Sequence, residues 1–413
     1  MTKVKIIHYR RAVPVLIPLL VLFWTGCAKQ VDWIYFRGRD GAGYTSESIH
    51  PPLGVRWNLK LQESETAKSF NPPVVRGDSI YFGSDDGNFY SQNVTTGYMN
   101  WIFKTRAPVN SIPFVGDDTV YFGSNDGSVY AVNRKDGEKL WEFATGNTVQ
   151  SLVLRYRESV IFTSDTGATF FLDSNGRETN RIDNPVWSHH TFQVFDDVVY
   201  WAPLGRSFGA YSLPERRFLW TVDVDVPYSV WYSFPAIDNE RVYYASSYLS
   251  QEGVTLRYYA ANRITGETVW QRDEGMDIGD VTPYNADTLF FRHVRLLDYM
   301  APALWRNTVI YTSGDAIVRA FNAKSGEPVW DQTFGYPTSS APTVAGDRVY
   351  FGLRGAEDGS GDPPTLVCIS ARDGRLLWSM ETDGAVLSAP VISGKRIFFG
   401  TENSRFYVLE EIF

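Results

Sequence analysis

"AANRITGETVW", residues 260–270, closes a run of aromatic and β-branched residues with a glycine turn and a tryptophan. Nearly the same phrase stands at Ser91–Trp101, Ala131–Trp141, Ala320–Trp330 and Cys368–Trp378. A catalytic site gathers its groups once, from separate parts of a fold, so a phrase repeated this often is architecture. Reading upstream lengthens it. "PPVVRGDSIYFGSDDGNFYSQNVTTGYMNW" from Pro72 aligns with "IPFVGDDTVYFGSNDGSVYAVNRKDGEKLW" from Ile112, and later with "APTVAGDRVYFGL" from Ala341 and "APVISGKRIFFGT" from Ala389. Each unit holds three short apolar or alternating runs and a fourth that ends in Trp. Gly77-Asp78, Asp86-Gly87 and Thr96-Gly97 separate the runs of one unit, Asp117-Asp118, Asp126-Gly127 and Asp136-Gly137 those of the next. Such pairs accept the positive φ that tight hairpins require. Four-stranded meanders repeated at this period specify propeller blades.

Fourth-strand markers fall at Trp57, Trp101, Trp141, a degenerate position near Ile182, Trp220, Trp270, Trp330 and Trp378, at intervals of 38 to 60 residues. A last unit opens at Ser388 and stops at Phe413 without a fourth strand, while "GVRWNLKL", Gly54–Leu61, reads as a fourth strand with no unit of its own. The expectation is an all-β fold: an eight-bladed β-propeller of four-stranded antiparallel blades, closed by the N-terminal strand completing the last blade. Closure removes two sheet edges open to aggregation. Blade three departs with "FLDSNGRETNR", which lacks the Trp, and blade four with Arg216 where the turn glycine belongs. Blade six holds two candidate first strands, "VTPYNADTLFF" and "APALWRNTVIY", one of them belonging to an inserted hairpin.

The phrase A-x-N/D-x-x-x-G-x-x-x-W resembles the repeat of the pyrroloquinoline-quinone-like (PQQ-like) β-propellers. The opening "WIYFRGRDGAGYTSESIHPPLGVRWNLKL" from Trp33 resembles the lead-in of their exported members, so the likeness runs from Trp33 to Phe413. It implies that Trp57, Trp101, Trp141, Trp220, Trp270, Trp330 and Trp378 dock on the neighbouring blade, ring on a backbone glycine and N–H on a main-chain carbonyl. That suits an indole, which carries a large apolar area and needs one acceptor.

Ahead of the repeats, Lys3, Lys5, Arg10 and Arg11 precede an apolar stretch from Ala12 to Trp24 that is too short for a membrane-spanning helix. It ends in "FWTGC", which resembles the lipobox of bacterial lipoproteins and implies cleavage before Cys27 and acylation of that cysteine. Trp24 stands where leucine is usual; an ordinary secretory signal with an incidental cysteine is the alternative. Ala28 after the cysteine implies sorting to the outer membrane, with the periplasmic side or the cell surface as the exposed compartment. The expected organisation is a signal peptide at 1–26, a lipid-tethered linker and lead-in at 27–53, and the propeller at 54–413. Removing residues 1–26 takes four of the 39 basic residues and none of the 47 acidic ones, leaving a net charge near −12 that repels phosphate backbones. Nucleic acid is therefore not expected as a partner. Once Cys27 is acylated, Cys368 is the one remaining thiol and no intrachain disulfide forms.

Catalytic patterns are weak. The acidic turns "GSDDG", "GSNDG" and "TSDTG" offer two or three oxygens before re-entering a strand, fewer than a calcium loop needs, and read as hairpin turns. His189 and His190 are adjacent, so on a strand they point to opposite faces, and neither His50 nor His293 has a carboxylate or cysteine at ligand spacing. No G-x-S-x-G occurs. Quinone-dependent dehydrogenases of this fold carry adjacent cysteines over the cofactor and a Glu, Asn and Asp set around calcium; this chain has no Cys-Cys. With no catalytic, cofactor or metal residues assigned, the expectation is a non-enzymatic binding platform that meets its partners through loops departing from the repeat. Ser247–Arg257, Gln271–Met300 and Leu353–Thr365 are those loops. The resemblance further implies a periplasm-facing lipoprotein scaffold without cofactor, monomeric outside its complex. Its expected partners are an outer-membrane barrel-assembly protein and other cell-envelope proteins. A quinone-binding oxidoreductase or ligand-binding propeller, and an envelope propeller with another partner, are the alternatives.

Overall fold

A computed structural model describes residues 32–34, 36–38, 41–61, 72–183, 192–201, 207–223, 234–250, 253–276, 301–356 and 361–412. Among them there is no helix, and the strands form eight sheets. Each blade runs from a short inner strand to an outer one. Blade one runs from Val74–Arg76 to Met99–Lys104, and blade two from Phe114–Val115 to Lys139–Ala144. Blade three spans Leu154–Tyr156 to Glu178–Ile182, and blade four Gln193–Phe195 to Arg217–Asp223. Blades five and six start at Ala236–Ile237 and Ala303–Trp305 and end at Thr268–Met276 and Pro328–Thr333. Blade seven begins at Thr343–Ala345 and finishes at Leu376–Glu381. Blade eight contributes three strands, Val391–Ser393, Arg396–Gly400 and Arg405–Glu411, and takes Leu53–Lys60 as its outer strand in antiparallel register, Trp57 opposite Val408. The ring closes as the orphan strand requires.

The blades stack through their aromatic faces. Phe89 lies on Phe122 with ring centroids 4.1 Å apart, Phe208 on Tyr244 at 4.1 Å, and Phe82 on Phe406 at 4.8 Å across the closing seam. All six rings are buried, and such pairs add to area burial by roughly 0.5–1.5 kcal/mol each. At the outer edge the indoles take over. Trp57 donates its N–H to the Val94 carbonyl, Trp101 to Arg134, Trp141 to Ser174, Trp220 to Arg263, Trp270 to Ala323 and Trp330 to Ala371, all between 3.0 and 3.1 Å. Each acceptor lies in the outer turn of the following blade, and each ring covers that turn's glycine, from Gly97 under Trp57 to Gly374 under Trp330. These glycines have φ between 70° and 78°, a region open to residues without a Cβ. A Cβ on Gly326 would sit 2.6 Å from the Trp270 ring.

A recurrent irregularity aims the indoles. In every outer strand the pairing register slips just before the Trp position, for example between Lys139 and Trp141 and between Thr268 and Trp270. Such a bulge turns a side chain away from its regular pleat. In blade three the residue at this place, opposite Phe171 after the same slip, is Asn180. The degenerate marker near Ile182 is therefore Asn180, and the turn there is one residue shorter. The blade that Asn180 faces is the one with Arg216, at φ 53°, in the glycine position. Both halves of the docking pair are thus replaced at one seam. Asn180 donates instead to the Tyr211 hydroxyl (3.1 Å), while Tyr211 packs on Phe171 and Trp201. Trp378 has no following turn to meet, because its neighbour is the blade closed by the N-terminal strand; among the described residues its N–H has no carbonyl partner.

One loop expectation changes and one open alternative is answered. Ser247–Arg257 is a prolongation of blade five rather than a departure from it: its middle strands run Arg241–Ser250 and Gly253–Asn262, paired without a break from Arg241 opposite Asn262 to Ser250 opposite Gly253. In blade six, "APALWRNTVIY" supplies the inner strand Ala303–Trp305 and its partner Thr308–Tyr311, and "VTPYNADTLFF" lies outside the described residues.

Trp270→Ala is expected to destabilise the protein by about 3–5 kcal/mol, as for other buried tryptophan truncations, read as a lower denaturant midpoint. Gly326→Ala is expected to lower the midpoint as well, through strain at positive φ and the clash with the same ring, although it removes no atom from the indole.

Candidate functional site

The lead-in segment runs along the inner strands of the ring. Asp32 starts at the end of the ring that carries the outer turns, where its carboxylate accepts the N–H of Gly77 at 2.9 Å. Trp33 pairs with Val75 of the blade-one inner strand through two backbone hydrogen bonds, and the Ile34 carbonyl accepts from Val115 of blade two. Phe36 then meets Phe234, centroids 4.2 Å apart. Arg37 reaches the opposite end and donates to the carbonyls of Pro302 at 2.7 Å and Ala301 at 3.3 Å, just before the inner strand of blade six.

There the chain reverses. Gly41 and Gly43 donate to the carbonyls of Gly38 and Arg37, and the three glycines have φ of 78°, 66° and 65°. The reversal is tight because side chains fill the space around it. The Gln193 amide of blade four is packed against Gly41 and the Arg37 guanidinium against Gly43, so that a Cβ at either place would overlap them. Returning, the Ala42 and Gly43 carbonyls accept from Leu304 and Val344, and Tyr44–Thr45 adds a fifth, parallel strand to blade seven. The segment leaves past Gly346, gives the Ile49 carbonyl to the Tyr350 hydroxyl at 2.8 Å, and enters the closing strand. Trp33, Phe36, Arg37 and Ile49 are all buried. Residues 32–50 thereby touch the inner strands of blades one, two, four, six and seven.

Arg37 is the unusual member. It is 2% exposed, and burial pulls its guanidinium below the ordinary arginine value. Its Nε and Nη1 have no hydrogen-bond partner among the described residues. Its two carbonyl acceptors are charge-assisted partners, worth more than neutral ones, and they hold the tip of the segment to blade six.

The residues weighed for chemistry lie elsewhere. Asp86 and Asp126 accept from backbone N–H groups within their own hairpin turns and from the hydroxyls of Tyr90 and Tyr130. Asp315 meets Arg319 at 2.6 Å in the equivalent turn of blade six. These carboxylates are used by the hairpins that carry them, and among the described residues no group of three or more His, Cys, Asp or Glu could hold a metal ion. His50 is paired with Glu411 across the closing blade at 3.2 Å, a contact that spacing along the chain does not reveal. Cys27, His189, His190 and His293 lie outside the described residues, as do 277–300 and 357–360 of the expected loops. Cys368 is buried opposite Trp378, and burial pushes its thiol up to about 12.

A clamp beneath the inner strands carries no mark in the repeat phrase. Ser111 accepts the N–H of Gly123, Ser151 that of Thr163, Ser340 that of Gly352 and Ser388 that of Gly400, each bond spanning 12 residues. The recurring small residue ahead of each inner strand is its only signal. Trp305, outside the repeated phrase, adds one more interblade bond, from its indole to the Gly346 carbonyl at 2.8 Å.

Arg37→Ala is expected to release the tip of the lead-in and raise cleavage of the N-terminal segment by added protease under native conditions. Cys368 is expected to resist alkylation in the native protein and react only after denaturation, which intact-mass measurement reads directly.

The family model described as "Outer membrane protein assembly factor BamB" matches residues 54–183, 257–361 and 314–411. Among solved structures, BamB from Moraxella catarrhalis superposes with a TM-score of 0.64 at 16% identity, over 87% of this chain and 98% of that one. The quinohemoprotein alcohol dehydrogenase ADHIIG from Pseudomonas putida HK5 gives 0.69 at 14% identity, over 92% and 80%. The computationally designed Ika8 protein gives 0.62 at 16%, over 83% and 97%. At these identities the structures share a fold. A search of curated protein sequences found no match.

Proposed function

The chain belongs to the PQQ-like propeller family described as outer membrane protein assembly factor BamB, and from that premise we propose that it is a non-catalytic scaffold of the cell envelope. In this reading it is anchored by an acylated Cys27 to the periplasmic side of the outer membrane and supports the assembly of β-barrel proteins there. The observation that supports the non-catalytic part is the course of the lead-in along the inner strands. Described residues between 32 and 45 line the inner strands, where a ring of blades can enclose a small molecule, and are tied down by backbone pairing on four blades. Surface is offered on the outside by the turns at either end, the outer strands, and the prolonged strands of blade five. A rigid ring with such a periphery suits protein contacts, in which extended segments add to exposed strand edges.

The quinohemoprotein likeness is one of fold, and fold does not fix chemistry. Both cysteines of this chain, Cys27 and Cys368, stand alone, so the vicinal pair of such enzymes has no counterpart.

Affinity purification of the full chain from detergent-solubilised membranes is expected to bring down a barrel-assembly component. Recovery without any such component, from membranes that contain it, would count against the assembly role, and the same preparation assayed with quinone and calcium is expected to show no redox activity.

A further inference from the structure

We propose that the end of the ring bearing the outer turns lies flat on the phospholipid surface, with Tyr98, Ile264 and Leu376 seated among the headgroups; this rests on the lipid-anchor reading of Cys27. Two observations meet at that end. The first is the tether. Cys27 is five residues ahead of Asp32, and a stretch of that length spans at most about 17 Å when extended. Asp32 is fixed to Gly77, in the inner turn of blade one, and the Val94–Asp78 backbone bond joins that turn to the outer turn holding Tyr98. An acyl chain on Cys27 thus brings this end, and no other, to the bilayer.

The second observation is an apolar fringe without an internal purpose. Tyr98 is 77% exposed, Ile264 66% and Leu376 52%. They stand in or next to the outer turns of blades one, five and seven, so they are distributed around one end of the ring. Ile412, 55% exposed, and Val55, 46%, continue the fringe on blade eight. Tyrosine and aliphatic residues of this kind settle at the boundary between headgroup and acyl chain.

The test uses the full acylated chain in vesicles of phosphatidylethanolamine and phosphatidylglycerol containing a quencher-bearing lipid. Tyr98→Cys, Ile264→Cys and Leu376→Cys are each labelled with a fluorophore, and Asn147→Cys, exposed at the opposite end, serves as the reference; buried Cys368 stays unlabelled. Severalfold stronger quenching at 98, 264 and 376 than at 147 is the expected result. Equal quenching at the four positions, or the reverse order, overturns the orientation. So does shielding of the three positions in native membranes that disappears in pure lipid, since a protein is then the occupant. Intact mass is read first: a chain without acyl groups overturns the anchor reading, whereas an acylated chain without selective quenching overturns this inference alone.

Discussion

An indole pressed on a turn that has no side chain is the contact on which the ring depends. The glycine is required twice over: its φ is positive, and its missing Cβ is the space the ring occupies. Because the indole N–H also finds its acceptor in the same turn, one residue fixes both the separation and the rotation between two blades. The bulge ahead of each tryptophan serves that aim, and it persists at Asn180, where the indole is gone. The seam between blades three and four shows the pair to be a unit. With no ring to receive, blade four places Arg216 where a side chain would otherwise be forbidden, and the seam is rebuilt from Tyr211, Trp201 and Phe171 in the interior.

The second constraint is on the axis. Eight blades leave a hollow that a packed protein must fill or wet. Here the lead-in lines its wall, and the segment reads like a strand only where it borrows partners from the inner strands around it. Glycines let it turn inside a space a few residues wide, and Arg37 secures the turn to carbonyls that no strand uses. One strand of the lead-in even extends blade seven, so that the plug and the wall are continuous sheet.

Most of the ring was legible because its signals are local. Asp-Gly and Thr-Gly turns set the hairpins, alternation set the strands, and an unpaired strand at each end of the chain announced the closure. Three things were hidden for a common reason, which is that they depend on neighbours distant in sequence. Gly38, Gly41 and Gly43 stand in a stretch with neither alternation nor periodicity, and the turn they make depends on inner strands that come together only once the blades are assembled. The replacements at Asn180 and Arg216 look unrelated along the chain and become one event in space. His50 and Glu411 are likewise partners only through closure. The candidate functional surface was legible in part: the chain's irregular stretches were visible, but whether a stretch is a loop or a longer strand depended on cross-strand pairing, as blade five shows.

The closing blade has a kinetic side. Arg56 and Glu410, which meet in it, are 354 residues apart in sequence, so the strand synthesised first among the blades waits for those synthesised last. Contacts of such separation slow the final step of folding. Until it occurs, Leu53–Lys60 and the strand Arg405–Glu411 each present an unmatched edge, and a chaperone that covers those two edges would protect the whole molecule at its most vulnerable moment.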